Sequence, residues 1–244
     1  MRIKDDSSDS INAVVPVKGL SKSKSRLSSV LQPKERTELT MVMLQDVLSA
    51  LTKSRMLDSV TVVSTDWRAS RIARQFDVSF LQEGRTRGLN NAIRFVVRKR
   101  GLSESALLIV HADLPLLTPP EVCNFLKEAN GYPIVIAPSK DETGTNAMLL
   151  RPARIMQSSF GKESYRRHIL MMEQKRILFK VQKMRGFGFD IDEPNDLLDL
   201  MNQDAQANTA RFLSLIRPGE STDLMIDQSP VDITLTAAFH PRYR

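Results

Sequence analysis

Residues 107–116 read LLIVHADLPL. A run of four apolar residues suits a strand buried on both faces, as parallel sheets require. Asp113 follows where such a strand emerges, and Pro115 keeps the backbone before it extended. On either side the pattern turns helical. Residues 89–100 read as a helix entered through Gly88, and residues 119–129 as another with proline at its start. The alternation extends outward, with strands expected at 11–17, 60–64, 78–81, 134–137, 147–150 and 177–181. Helices are expected at 33–53, 67–76, 164–174 and 194–201. A last helix from 205 ends near 216, where Arg217-Pro218-Gly219 breaks it, and 231–235 is one short alternating piece. This rhythm predicts an α/β fold: a three-layer sandwich whose mostly parallel sheet is covered on both faces. Ligands of such sheets bind at the carboxyl ends of the strands.

Composition narrows the function. The chain has 244 residues with 35 Lys+Arg and 28 Asp+Glu, a formal charge of +7. Residues 204–244 carry five acids and four arginines, or −1, so the other 203 residues carry +8. Cys123 is the single cysteine, which excludes an internal disulfide and a cysteine-built zinc site and makes the cytoplasm the expected location. The N-terminal MRIKDDSSDS is too polar for a signal peptide, and no segment approaches the ~20 apolar residues of a membrane span. One Trp and three Tyr supply little platform for stacked bases. The basic residues cluster locally, as Lys18, Lys22, Lys24 and Arg26; Arg85 and Arg87; Arg98, Lys99 and Arg100; Arg166 and Arg167. Any one cluster reads equally well as a solvated face.

Several short segments carry chemistry. Residues 16–27, PVKGLSKSKSRL, continue the first strand, and Lys18, Lys24 and Arg26 there can gather a triphosphate. This is not a Walker A loop, since Gly19 stands alone and no Gly-Lys-Ser follows. In residues 83–93, EGRTRGLNNAI, Glu83, Gly88 and Asn90 are candidate nucleotide contacts: glycine permits close approach of backbone, and an Asn amide can read a base or ribose. Asp113 is placed to hold Mg²⁺ with a nucleotide's phosphates. His111 shares its face if the strand persists, and reads more readily as a structural histidine. In GFGFDIDEPNDL, residues 186–197, Asp190 and Asp192 share one face of an extended segment. One is expected as a metal ligand and the other as cap of the helix that Pro194 opens, with Glu193 competing for the cap. Thr145, in DETGTN, and Gly161, Lys162 and Ser164, in SFGKESYRRH, form a candidate second anion site at a helix start.

Together VPVKGLSKSKSRL, EGRTRGLNNAI, VHADLPLL, SKDETGTNAMLL, SFGKESYRRHI and FDIDEPNDL resemble the phospholactate guanylyltransferase (CofC) family of deazaflavin coenzyme F-420 biosynthesis, over roughly residues 11–200. The resemblance implies a nucleotide-diphospho-sugar transferase fold of the GT-A or MobA-like kind. It also implies GTP and Mg²⁺, and transfer of GMP to 2-phospho-L-lactate with release of pyrophosphate. Bacterial relatives use phosphoenolpyruvate, and 3-phosphoglycerate is a further alternative. By the same resemblance Lys18, Lys24 and Arg26 lie near the nucleotide phosphates, and Asp113, Asp190 and Asp192 match the acidic metal-binding motifs. Thr145, Gly161 and Ser164 match positions that hold the phosphorylated acid. A homodimer and a downstream transferase of the same pathway are the implied partners. His111 departs from the family pattern, which has a small residue or proline there, and the tail beyond about residue 203 matches nothing in it. The expected organisation is a polar extension at 1–10, a nucleotidyltransferase domain at 11–203 and a C-terminal extension at 204–244.

The chemistry agrees with the composition. A phosphomonoester with a second pKa of about 6 is mostly dianionic at neutral pH, so its attack on the α-phosphorus of GTP needs no general base. Cations that position two anions suffice, and His and Cys are accordingly scarce. Two rivals are another MobA-like nucleotidyltransferase, which would carry a glycine-rich first loop, and a basic nucleic-acid-binding protein, against which the lack of a basic tail or aromatic platform counts.

Overall fold

β1 (Ile11–Val17) is the spine of the molecule, and its INAVVPV sequence is buried from Asn12 onward. It pairs in parallel with β2 (Ser59–Ser64) and β4 (Ala106–Val110), and β2 pairs in parallel with β3 (Ser79–Gln82). β5 (Ile134–Pro138) pairs in parallel with β7 (Phe179–Val181). β6 (Thr145–Leu150) is the exception and lies antiparallel between β4 and β5, in a seven-stranded sheet ordered β3-β2-β1-β4-β6-β5-β7. The expected mostly parallel sheet is thus present, with one reversed strand. The reversal comes from the hairpin at residues 139–144, where Ser139 N donates to Gly144 O (3.0 Å) and Gly144 N to Ser139 Oγ (2.8 Å). It has a functional consequence, because it brings the start of β6 to the edge where β1 and β4 end. This computed structural model describes residues 10–20, 24–84, 88–203 and 206–216. Lys22, Arg85, Arg87, the expected break at 217–219 and the expected piece at 231–235 lie outside them.

The helices are α1 (Pro33–Ser54), α2 (Arg68–Gln75), α3 (Leu89–Arg100), α4 (Pro119–Lys127), α5 (Ser164–Gln174), α6 (Arg185–Gly188), α7 (Pro194–Met201) and α8 (Asn208–Ile216), with a 3-10 turn at Ser25–Ser29. Proline opens α1, α4 and α7, where its missing N–H would have no helical partner anyway. Strand alternation then divides the core. Ala13, Val15, Leu108 and Val110 pack with α1, α2 and α4, while Val14, Leu107, Ile109 and Met148 pack with α3 and α5. A third cluster, with Leu27, Leu39, Ile191, Leu197 and Leu213, joins the 3-10 turn to α1, α7 and α8. α8 lies beyond residue 203 yet is anchored to α1, because buried Asp46 accepts hydrogen bonds from the backbone and side chains of Asn208 and Thr209. Among the described residues no helix is long and apolar enough to cross a membrane.

Candidate active site

Three carboxylates and one ammonium meet at the carboxyl ends of β1 and β4. Asp113 lies three residues past β4, and its carbonyl accepts from Ile191 N (3.3 Å), which docks residues 189–193 against it. Ile191 is fully buried in the α1–α7–α8 cluster, so Asp190 and Asp192 turn the other way. Lys24 bridges two of the acids, with Nζ 2.6 Å from Asp113 Oδ2 and 2.9 Å from Asp192 Oδ1. Its backbone is left-handed at φ 54°, just before the 3-10 turn, and its side chain is only 6% exposed. Asp190 is held from β6, where Asn146 Nδ2 donates to its Oδ1 (3.0 Å) and to Phe187 O (3.0 Å).

These contacts set the charges. Burial works against the Lys24 ammonium, but Asp113 and Asp192 outweigh it and hold its pKa above the ordinary lysine value. Burial likewise pushes Asp113 up, and Lys24 reverses this, leaving it below the usual carboxylate range. About a quarter (24%) of the Asp113 side chain is exposed, yet Oδ1 is buried without a hydrogen-bond partner among the described residues. Asp190 is pushed up to about 6 by burial and then by the Asp113 charge.

Neither Asp190 nor Asp192 caps α7, contrary to the expected division into one ligand and one cap. Glu193, the competing candidate, takes that position in a capping box: its side chain accepts from Asp196 N, and Asp196 in turn accepts from Asp192 N (2.8 Å) and Glu193 N (2.7 Å). Both carboxylates are left to the site. Hard oxygen donors are the right chemistry for Mg²⁺, and the orphaned Asp113 Oδ1 is a donor with capacity to spare. As the side chains stand, no three His, Cys, Asp or Glu among the described residues are grouped for a metal. The ammonium of Lys24 sits between two of the three carboxylates instead.

A second cluster adjoins the first through β6. Thr145 N donates to Ser164 Oγ (3.0 Å), and Gly161 O accepts from Ser164 N (3.1 Å). Gly161 has φ 127°, a backbone conformation that favours glycine. Thr145, Gly161 and Ser164 therefore come together, but the amides of Ser164 and Tyr165 are already bonded to Gly161 O and Thr143 O. The cluster therefore draws less on the helix end than the sequence suggests. His168, one turn after Ser164, organises it. Ser159 N donates to Nε2 (2.8 Å), so the ring proton resides on Nδ1 and is given to Thr145 Oγ1 (3.0 Å). The Thr145 hydroxyl proton is thereby left for another acceptor. Burial and Arg167 push the His168 pKa down to about 4, so the ring is neutral.

The other candidates are dispersed. Lys18 is exposed directly after β1. Arg26 is 68% exposed and 3.5 Å from Glu193, a surface pair that contributes little. Glu83 is buried after β3, with its N–H on Ser64 O. Gly88 takes φ 79° at the start of α3. Asn90 is engaged on both sides of its amide by Phe160, donating to O (3.0 Å) and accepting from N (2.8 Å). It ties α3 to the 159–163 loop instead of presenting its amide to a base or ribose. A cavity of about 860 Å³ runs along α3 past Glu83, Asn91, Arg94, Arg98 and Arg154, and none of the three site carboxylates lines it. Sequence reasoning missed the roles of Asn146 and His168. The i, i+4 spacing of Ser164 and His168 on one helix face was the available signal.

Phosphoenolpyruvate guanylyltransferases of Rubrobacter xylanophilus and Sphaerobacter thermophilus are 41% and 38% identical, over 78% and 77% of this chain and 93% and 91% of theirs. The 2-phospho-L-lactate guanylyltransferase of Methanothermobacter thermautotrophicus is 30% identical over 89% of this chain and 98% of its own. Among solved structures, a Desulfovibrio desulfuricans G20 protein provisionally described as a nucleotide-diphospho-sugar transferase superposes with TM-score 0.68 at 16% identity, covering 85% of this chain and 95% of its own. A Methanothermobacter nucleotidyl transferase gives 0.57 at 17%, covering 85% and 100%. These two share the fold. The sequence itself matches the family described as guanylyl transferase CofC-like over residues 11–224, past residue 203, where the resemblance read from the motifs ends. With a carboxylate centre at the strand ends and a hydroxyl-lined cluster beside it, the chain belongs to that family.

Proposed function

We propose that the chain transfers GMP from GTP to 2-phospho-L-lactate, giving lactyl-2-diphospho-5′-guanosine and pyrophosphate. The observation that carries the reading is the adjacency of the two clusters: Thr145, tied to Ser164, and Asn146, tied to Asp190, are consecutive at the start of β6. A small phosphorylated acid held by Thr145, Gly161 and Ser164 then lies next to a nucleotide held at the carboxylates. In the reaction a phosphate oxygen of the acid forms a bond to the α-phosphorus of GTP as the bond to the pyrophosphate oxygen breaks. The attacking group is already dianionic, so no residue need take a proton. Positioning and charge do the rest.

Asp113, Asp190 and Asp192 would hold Mg²⁺, which supplies charge neutralisation for the triphosphate. Lys24 keeps two of the carboxylates paired in the free chain, and Lys18, exposed at the end of β1, meets the incoming phosphates with Arg26. The same reading carries a cytoplasmic homodimer and a downstream transferase that takes up the activated acid. A second reading has specific support: the two relatives cited at 41% and 38% identity are named for phosphoenolpyruvate, against 30% for the one named for phospholactate. Pyrophosphate release from GTP with each acid separates the two. A chain that turns over neither acid contradicts both.

A further inference from the structure

His111 stands between the two clusters and is used by neither. Its Nε2 is buried and has no hydrogen-bond partner among the described residues. Buried polar side-chain atoms are rarely left so, and the other orphan at the end of β4 is Asp113 Oδ1, two residues on. The backbone around His111 is pinned, with its N–H on Asn146 O (2.9 Å), beside Thr145. The ring is pinned too. It packs on Phe160 at 5.2 Å between centroids and 47° between planes, and Phe160 in turn meets His168 edge-on at 5.1 Å. Phe160 immediately precedes Gly161 and is clamped by Asn90. An imidazole fixed by backbone and stacking, with one nitrogen buried and unspent, is preorganised for a partner that arrives from outside the chain.

We propose that His111 is a substrate-binding residue that donates from Nε2 to an anionic oxygen of the phosphorylated acid. The inference rests on the guanylyltransferase reading above and adds the residue that joins the acid's cluster to the carboxylate centre. His111 contributes binding and orientation only, and no covalent or proton-transfer step passes through it.

His111→Phe keeps an aromatic ring against Phe160 and removes the donor; His111→Gln returns an amide N–H near the same place. At saturating GTP, the Phe variant should raise KM for the acid roughly 10- to 100-fold, the range of a lost hydrogen bond to a charged group. KM for GTP should stay within about twofold, and the Gln variant should recover most of the loss. A folded Phe variant with unchanged KM for the acid, or with equal rises for acid and GTP, overturns the proposal. A measurement on the unaltered chain guards against a variant that fails to fold. With ¹⁵N-labelled histidine, the His111 Nε2 resonance should shift on adding phosphoenolpyruvate or 2-phospho-L-lactate, and not on adding lactate. No shift on saturation overturns the proposal while turnover by the same sample leaves the guanylyltransferase reading standing. Absence of turnover with every acid removes that reading and the role of His111 with it.

Discussion

Replacing Lys24 by Met tests how the carboxylate centre is held in the free chain. The substitution keeps an unbranched apolar stem as far as Cε and deletes the ammonium that lies 2.6 Å from Asp113 and 2.9 Å from Asp192. Removing one partner of a buried pair costs about 3–5 kcal/mol. Here Asp192 is 51% exposed and regains water, so the loss falls mainly on Asp113, and about 3 kcal/mol is expected near neutral pH. The sign of the pH dependence follows from the two states of Asp113. With Lys24 present its folded pKa is depressed, so its stabilising contribution is complete above the unfolded value and fades as pH falls below it. Without Lys24, burial and the neighbouring acids raise that pKa. The variant then suffers most at high pH and recovers as Asp113 takes up a proton. Urea denaturation in a chelator should therefore show a deficit at least about 1 kcal/mol smaller at pH ~4.5 than at ~7.5. Mg²⁺ should restore more stability to the variant than to the parent, since no ammonium competes for the acids. A deficit under about 1 kcal/mol at neutral pH, or one that ignores pH, would mean that Lys24 does not hold the centre.

Other expectations follow from the same geometry. Asp190→Asn should stabilise the metal-free chain by about 1–3 kcal/mol at pH ~7.5 and not at ~4, because a carboxyl raised to about 6 opposes folding only where it must ionise; equal effects at both values count against it. His168→Phe orphans Ser159 N–H and the Thr145 hydroxyl and should cost about 2–6 kcal/mol at neutral pH, read from denaturant midpoints. With His168 at about 4 in the fold, its contribution is full above its unfolded value of ~6.5 and is lost as pH falls from there toward 4, so the deficit of the Phe variant should shrink by up to about 3 kcal/mol on acidification. Ser164→Leu should raise KM for the acid far more than KM for GTP, and equal effects would contradict a separate acid pocket.

The fold was legible because the local signals agree with the global one. The LLIV run at 107–110, the prolines that open α1, α4 and α7, and the strand-helix spacing each predict the element found. What escaped depends on chain direction. A strand at 147–150 reads the same in either orientation, and only the 139–144 hairpin decides that β6 is reversed and starts at Thr145. Asp113 was visible as an acid leaving a buried strand. The ion pair of Lys24 was not, since it depends on a left-handed residue in a loop with no periodicity. The cap of α7 went to Glu193, the competing candidate, because Asp196 three residues into the helix reaches back to its amide and completes a capping box, a pattern that leaves Asp190 and Asp192 free. Asn90 looked like a base reader because an amide's partners are tertiary and Phe160 lies 70 residues away.

On the proposed reading, a carboxylate centre containing Asp113 activates GTP for attack by a small phosphorylated acid. Pyrophosphate release is the decisive readout, measured with Mg²⁺ and each nucleoside triphosphate against 2-phospho-L-lactate, phosphoenolpyruvate and 3-phosphoglycerate, for the parent chain and Asp113→Asn. Release should require GTP together with one of the 2-phosphorylated acids, and fall at least about 1,000-fold in the variant at unchanged fold. Near-parental turnover by Asp113→Asn, or no release from GTP with either 2-phosphorylated acid, would overturn that reading.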